Sequence, residues 1–184
     1  IEYTEFYGSL EDQNLLELWL ENNKYTKSEF ETYLMQHLLA KKMQQQVLDG
    51  IESYIEQVHA RHIVVATRED AQVIIREVNA GADFATLASK YSLDRSTALN
   101  GGDLGWFPKG LLMLPVLEEV AFQLEPGELS DIVQTEFGFH VIQTLDHDLE
   151  RTMTDGVRII VHQQVIHKWI KDLQLQAEIE KFVD

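Results

Sequence analysis

The sequence predicts an α+β fold in which a small antiparallel sheet, with helices on one side, is set between helical segments at the two ends of the chain. Short β-branched runs separated by glycine-containing turns occur in the middle of the chain. Between these runs, apolar residues recur at the three- and four-residue spacing of amphipathic helices. The first and last parts of the chain show the helical spacing alone. The order in the middle part, β-α-α-β-α-β-β, is typical of an α+β domain.

The N-terminal part, up to residue 58, has the pattern of helices. Thr26 and Glu29 predict a capping box, because the threonine hydroxyl can accept from a backbone N–H while the glutamate reaches back to the threonine N–H. Ser9 with Asp12 is a weaker match to the same motif. The helix after Thr26 has one apolar face, made of Phe30, Tyr33, Leu34, His37 and Leu38.

The middle part begins where β-branched residues predict a strand over 60–66. Residues 51–58 either continue the preceding helix or lead into this strand. Thr67 caps a helix that ends at Gly81, and Asp83 caps a second, shorter helix. The elements predicted after these are a strand over 104–107, a helix over about 115–124, and two strands around 130–134 and 139–146 that form a hairpin through Gly138.

The C-terminal part, residues 155–180, returns to helical spacing. Its apolar stripe is wide enough to need a partner, and it comprises Ile159, Val161, Val165, Ile166, Trp169, Ile170 and Leu173. We therefore predict an N-terminal helical segment (1–58), an α+β domain (59–148), and a C-terminal helical segment (149–184) that packs with the first. These faces could bury each other within one chain or between the chains of a swapped homodimer, and the sequence leaves both open.

Composition excludes several classes of function. The net charge of −16 argues against a nucleic-acid partner, whose phosphates would be repelled. The absence of cysteine rules out disulfides, a thiolate nucleophile and thiolate metal sites. No apolar run approaches the roughly twenty residues that span a bilayer. No signal peptide is evident and the chain starts at Ile1, so a signal or anchor could have been removed; the sequence favours a location outside the cytoplasm and leaves a cytoplasmic one open.

Five short motifs follow one another in the middle part. In chain order they are Ala60-Arg61-His62-Ile63-Val64-Val65, Tyr91-Ser92-Leu93-Asp94, Gly101-Gly102-Asp103-Leu104-Gly105-Trp106-Phe107, Met113 before a helix, and Phe137-Gly138-Phe139-His140. This set resembles the active-site residues of the parvulin family of peptidyl-prolyl cis/trans isomerases, over residues 59–146. The flanking helical segments are similar to the split chaperone domain of the SurA/PrsA class of bacterial foldases.

The resemblance implies a catalytic set of four residues, His62, Asp94, Thr135 and His140. In the family, the two histidines lie on neighbouring strands and hydrogen-bond each other through their rings. Asp94 would orient an imidazole tautomer, and Thr135 would satisfy a remaining ring nitrogen. The competing interpretation is structural: a buried polar network of this kind also rigidifies a fold.

The resemblance also implies an apolar pocket for the proline ring, formed by Leu104, Phe107, Met113, Leu117 and Phe122. Two departures from the family pattern occur here. Leu117 replaces the usual aromatic residue, and one extra residue stands between Gly110 and Met113. The competing interpretation is that these apolar residues belong to the ordinary core.

Other kinds of site are not indicated. The segment Gly101-Gly102-Asp103-Leu104-Gly105, which we call the glycine loop, lacks the lysine of a phosphate-binding loop. Asp103 in its middle would repel phosphate. The loop after the first predicted strand, residues 66–70, lacks the basic cluster of phospho-directed parvulins, so we expect no requirement for a phosphorylated substrate. The spacing of the other histidines does not predict a metal site, and nothing in the sequence calls for a cofactor.

Two functional hypotheses follow. The first is an enzyme, a non-covalent prolyl isomerase acting on proline-containing unfolded or nascent polypeptides, including secreted ones. The second is a chaperone or binding module that keeps the parvulin fold with little catalysis. The histidines, the aspartate and the methionine favour the enzyme, whereas Leu117 and the large helical content favour the binding module.

Overall fold

The structure, a computed structural model, describes residues 13–177, and the chain divides into two compact units between Ile51 and Glu52. The first unit contains helices α1 (Gln13–Asn23) and α2 (Lys27–Asp49). The second contains, in chain order, β1 (Tyr54–Val65), α3 (Arg68–Asn79), α4 (Phe84–Tyr91), β2 (Asp103–Phe107), α5 (Pro115–Gln123), β3 (Val133–Thr135), β4 (Gly138–Thr152) and α6 (Asp155–Gln176). The α+β fold class is confirmed.

The first unit is organised around the start of α2. The predicted capping box is confirmed: Glu29 N–H donates to the Thr26 hydroxyl at 3.2 Å, and Thr26 N–H donates to the Glu29 carboxylate at 2.8 Å. Phe30, in the first turn of α2, is buried and its ring packs against that of Trp19 at 5.3 Å. The other predicted capping box, Ser9 with Asp12, lies outside the described residues.

The second unit is built on an antiparallel four-stranded sheet of order β2-β1-β4-β3. The two central strands are longer than predicted, and residues 54–58 belong to β1 rather than to a helix. Their register pairs Tyr54 with Thr152 at one end and Val65 with Phe139 at the other. At the Tyr54–Thr152 end of these two strands, apolar and polar residues do not alternate. The strands are held together there by their mutual hydrogen bonds rather than by burial of one face.

Helices cover both faces of the sheet, so the prediction that they lie on one side is wrong. Val141 and Ile142 are successive residues of β4 and therefore point to opposite faces. Val141 packs with α3 and α4 in one buried cluster, whereas Ile142 packs with α5 in another. The site described below lies on the α5 side of the sheet, since His62 and Val64 share the strand parity of Ala60, a member of the α5 cluster.

The glycine loop approaches the sheet closely. Gly102 has φ +78°, and a Cβ placed there would lie 2.1 Å from the His62 carbonyl oxygen. The backbone instead makes a hydrogen bond from His62 N–H to Gly102 O at 2.9 Å. A side chain at this position would therefore displace the strand that carries His62.

Helix α6 begins at a Thr154 cap and buries Val157 and Val161. Its Gln164 amide donates to the Gly110 carbonyl at 2.5 Å, so this helix contacts the loop before α5. Ile159, Ile170 and Leu173 of the predicted stripe are exposed. Packing of this helix with the N-terminal helices stays a prediction. Among the described residues, no helix combines the length and apolar character needed to cross a bilayer.

Candidate active site

Two buried histidines on the central strands form the centre of the site. His62 on β1 is paired with Ile142, and His140 on β4 is paired with Val64, so the histidines are diagonal neighbours on one face. Their ring centroids are 5.5 Å apart and their Nδ1 atoms 3.4 Å apart. The predicted contact between the rings is therefore confirmed. Only 5% of His62 and 1% of His140 is exposed.

Asp94 reaches the pair from the segment after α4. Its carboxylate accepts from His62 Nε2 at 2.8 Å, from the Thr97 hydroxyl at 2.7 Å, and from the backbone N–H of Ser96 at 3.0 Å. Burial alone would raise the pKa of Asp94, but hydrogen bonds from Ser96, Thr97 and His62 outweigh it and hold that pKa well below its ordinary value. Asp94 is thus a fixed anion at neutral pH.

Thr135 closes the network on the other side. Its hydroxyl oxygen lies 2.7 Å from His140 Nε2 and accepts from Phe137 N–H at 3.1 Å. Burial, followed by the proximity of His62, lowers the pKa of His140 to about 4. His140 is therefore neutral at pH 7.

One arrangement of protons satisfies this chain when both rings are neutral. The Asp94 carboxylate only accepts, so His62 carries its proton on Nε2 and leaves Nδ1 as an acceptor. His140 must then donate from Nδ1, and its bare Nε2 accepts the Thr135 hydroxyl proton. The network is directed from Thr135 to Asp94, and each link fixes the tautomer of the next.

The network opens into a cavity of about 560 Å³, which we call the histidine cavity. Three of the four predicted catalytic residues line it, together with Met113. The remaining lining residues are Val64, Leu93, Arg95, Leu114, Glu136 and Phe137. These six were not among the predicted site residues, although each lies within two positions of one. The cavity therefore combines apolar walls with two acidic side chains (Asp94 and Glu136), one basic side chain (Arg95) and a rigid polar base formed by the histidines.

The other four residues predicted to bind proline lie in the α5 core cluster. Phe107 and Leu117 are buried there, while Leu104 and Phe122 are partly buried and pack against it. None of the four is among the residues that line the histidine cavity. This placement matches the competing interpretation, that they are core residues; a direct contact with substrate stays a prediction.

Met113 lies on the loop before α5, and the residue is 96% exposed. Buried Glu118 holds this loop, because its carboxylate accepts from Gly110 N–H at 2.6 Å and from Leu112 N–H at 3.1 Å. The Gln164 amide holds the same loop from α6. The exposed methionine is thus presented by a well-anchored backbone.

Two other histidines, on the central strands, have structural partners. His59 bonds to Asp103 at 2.8 Å and His147 to Glu56 at 2.9 Å. Within residues 13–177, no group of three or more histidine, aspartate and glutamate side chains is arranged to hold a metal ion.

A sequence model of the PPIC-type PPIASE domain family matches residues 42–148, more than half of the chain. The foldase protein PrsA of Caldanaerobacter subterraneus subsp. tengcongensis is 41% identical over 133 residues, which is 67% of this chain and 43% of the relative. The chaperone SurA of Nitrosococcus oceani is 32% identical over 153 residues, which is 74% of this chain and 36% of that one. The chain spans about half or less of the length of the curated relatives that it matches.

A solved structure is similar over the whole chain. It is the peptidylprolyl isomerase PrsA from Bacillus cereus, with a TM-score of 0.61 and 25% identity, and the match covers 100% of this chain and 78% of that one. The likeness therefore extends beyond the sheet domain to the helices on both sides of it.

Proposed function

Because the chain belongs to the PPIC-type peptidyl-prolyl isomerase family, we propose that it catalyses cis/trans isomerisation of X-Pro bonds in non-native polypeptides. The observation that carries the proposal is the directed Thr135–His140–His62–Asp94 network beside the open histidine cavity. Relatives named foldase and chaperone support non-native polypeptides as the clients. The similarity to the same relatives leads us to propose a location outside the cytoplasm, and cell fractionation tests that location.

The reaction needs no bond to be broken. Partial double-bond character of the peptide C–N bond gives a barrier of roughly 20 kcal/mol, and unaided rotation takes tens of seconds or more. A catalyst has only to bind the twisted amide more tightly than the planar one. Twisting removes resonance, so the carbonyl oxygen loses negative charge and the nitrogen gains a lone pair.

The histidine cavity suits such differential binding. Its apolar wall, including Val64, Leu93 and Met113, receives the proline ring and excludes water from it. The anionic Asp94, held close to that wall, disfavours the electron-rich carbonyl of the planar amide more than the weakened dipole of the twisted one. The buried imidazoles hold Asp94 in one orientation, since His62 donates directly to it.

The electrostatics of the neighbouring loop favour substrates without phosphate. The basic residue that follows β1 is Arg68, the first residue of α3, and its guanidinium carbon lies 5.9 Å from the centroid of the Phe139 ring. Glu69 and Asp70 follow it in the first turn of α3. A dianion would meet a net negative surface here, in a chain whose overall charge is −16.

A second function, binding of non-native chains by the first unit, is favoured by one observation. Helix α2 exposes Tyr33, Met35 and Leu39 to more than half of their full extent. A shallow apolar groove of about 450 Å³ follows the same helix, lined by Glu31, Leu34, Met35, Leu38, Leu39 and Lys42. Such a face suits transient contacts with apolar segments of a client.

The decisive experiment measures isomerisation of an Ala-Pro peptide by the full chain, with NMR exchange spectroscopy and without a coupling protease. We expect catalysis by the wild type and a loss of roughly tenfold or more in kcat/KM for Asp94→Asn, from removal of a charge at the reacting bond. Asp172→Asn, which changes an exposed carboxylate of α6, is the matched control. If the wild type is correctly folded but isomerises no X-Pro peptide, the isomerase proposal is overturned and binding of non-native chains is the function that remains.

A further inference from the structure

A second cavity adjoins the histidine cavity and shares one wall with it. This cavity, which we call the Tyr91 cavity, has a volume of about 210 Å³ and lies at the end of β1 beside α3 and α4. Its lining residues are Val65, Ala66, Asp70, Val73, Ile74, Tyr91 and Leu93. Leu93 also lines the histidine cavity, so its side chain separates the two.

The shared wall is held in place by its backbone. Leu93 N–H donates to the Val64 carbonyl at 2.8 Å, which ties this segment to β1. The next residue, Asp94, is fixed by the histidine network. Although its backbone is held on both sides, Leu93 remains 56% exposed. It therefore forms a ridge over which a bound peptide can pass from one cavity to the other.

The Tyr91 cavity has the size and chemistry for an apolar side chain. An engineered apolar cavity of about 150 Å³ is large enough to bind benzene, so the Tyr91 cavity can admit the side chain of leucine or phenylalanine. Its floor contains Ile74 and Val65, which are almost fully buried. The carboxylate in the lining, Asp70, already accepts from the Thr67 hydroxyl at 2.6 Å. That anion also disfavours an acidic or phosphorylated side chain in this position.

We propose that the Tyr91 cavity is a specificity subsite that binds a large apolar side chain of the client, one or two residues away from the isomerised proline. An extended chain advances about 3.3–3.6 Å per residue, so one or two residues suffice to cross a single leucine side chain. The inference rests on the proposed isomerase function, since it assumes that the proline occupies the histidine cavity.

The subsite predicts a measurable preference among substrates. We would compare the full chain on peptides that carry alanine, leucine or phenylalanine at each of the two positions on either side of an X-Pro bond. At one of these positions, leucine and phenylalanine should raise kcat/KM by about fivefold or more over alanine, because a larger apolar group is removed from water. The other positions should show smaller differences.

Two variants should change this preference in opposite directions. Val73→Trp fills the cavity and should abolish the advantage of leucine and phenylalanine at that position. Tyr91→Ala enlarges it and should shift the preference from leucine towards phenylalanine. Gln72→Ala, at an exposed neighbouring position of α3, is the matched control and should keep the wild-type preference. Thermal unfolding of each variant checks that the fold is intact.

The possible outcomes separate the two proposals. Equal turnover of all peptides by an active wild type would overturn the subsite and leave the isomerase function standing. A folded wild type that isomerises none of them would overturn the isomerase function. In that case, binding of the same peptides still tests the cavity, with the NMR signals of the Val73 and Ile74 methyl groups as the readout. Shifts of these signals with leucine peptides but not with alanine peptides support the subsite. The absence of such shifts refutes it.

Discussion

Replacement of His140 by glutamine tests the electrostatics of the buried network. Burial and the neighbouring His62 lower the pKa of His140 from 6.5 to about 4 in the folded protein. The folded state therefore favours the neutral ring, and between these two pH values the unfolded chain binds more protons. The stabilising contribution is fully present above about pH 6.5 and is lost as the pH falls towards 4.

The magnitude follows from the size of that change. A tenfold change in a proton-binding constant is worth about 1.4 kcal/mol, so a fall in the pKa from 6.5 to about 4 corresponds to at most roughly 3.5 kcal/mol. Asp94 does not contribute to the change in stability over this pH range. Its pKa is lowered, so its contribution is present above the unfolded value of 3.8 and is lost only at more acidic pH. His140→Gln should also lose roughly 1–3 kcal/mol at pH 7, since His62 Nδ1 is left buried without its partner.

The assay combines urea unfolding at intervals from pH 7.5 to 4.5 with NMR titration of the imidazole signals. As the pH is lowered, the free energy of unfolding of the wild type should decrease more steeply than that of His140→Gln. His167→Gln, at an exposed position of α6, should follow the wild-type slope. Parallel slopes for wild type and His140→Gln, or an imidazole signal of His140 that titrates near 6.5, would refute the reasoning.

Three further predictions concern the site. Met113→Ala should lower kcat/KM for an X-Pro peptide by more than tenfold, about 1.4 kcal/mol of transition-state binding; unchanged kinetics in a folded variant would remove Met113 from the site. Peptides with alanine, leucine or phenylalanine before proline should be turned over at least as well as phosphoserine-proline or Glu-Pro peptides, and a strong preference for phosphopeptide in the same assay would contradict the electrostatic argument. Glu118→Gln should lower stability by roughly 1–3 kcal/mol and reduce kcat/KM, because one of the two backbone N–H groups of Gly110 and Leu112 loses its acceptor. Glu119→Gln, at the exposed neighbouring position, is its control, and equal effects of the two changes in urea unfolding and kinetics would show that the clamp is unimportant.

The centre of the site could be predicted because its residues belong to local patterns. His62 and His140 each stand in a short β-branched or aromatic strand motif, and two such strands, when paired, bring the rings to one face. Asp94 and the glycine loop have equally local signatures. The capping residues Thr26, Thr67 and Asp83 are also found at the predicted helix starts, since capping depends on side chains within three residues.

The rest of the site depends on contacts between distant segments. Leu93, Leu114 and Phe137 face one cavity only after three loops converge, and no spacing in the sequence encodes that meeting. The extension of β1 to Tyr54 has the same origin, because its polar residues are recruited by hydrogen bonds to β4. Helix α5 lies on the opposite face of the sheet from α3 and α4, and which face a strand residue points to depends on the alternation of residues along the strand. A one-residue bulge can reverse that alternation.

Residues beyond the predicted domain end at 148 contribute to the second unit, and this decides how the site should be tested. Met153, Val157 and Val161 are buried. The Gln164 amide donates to Gly110 O, in the same loop that Glu118 clamps and that carries Met113. A fragment ending at 148 would expose the apolar surface covered by α6 and release one of the two side chains that anchor this loop. Loss of activity in such a fragment would therefore reflect a loosened loop as much as the chemistry of the histidines, so the variants above need to be compared within the full chain.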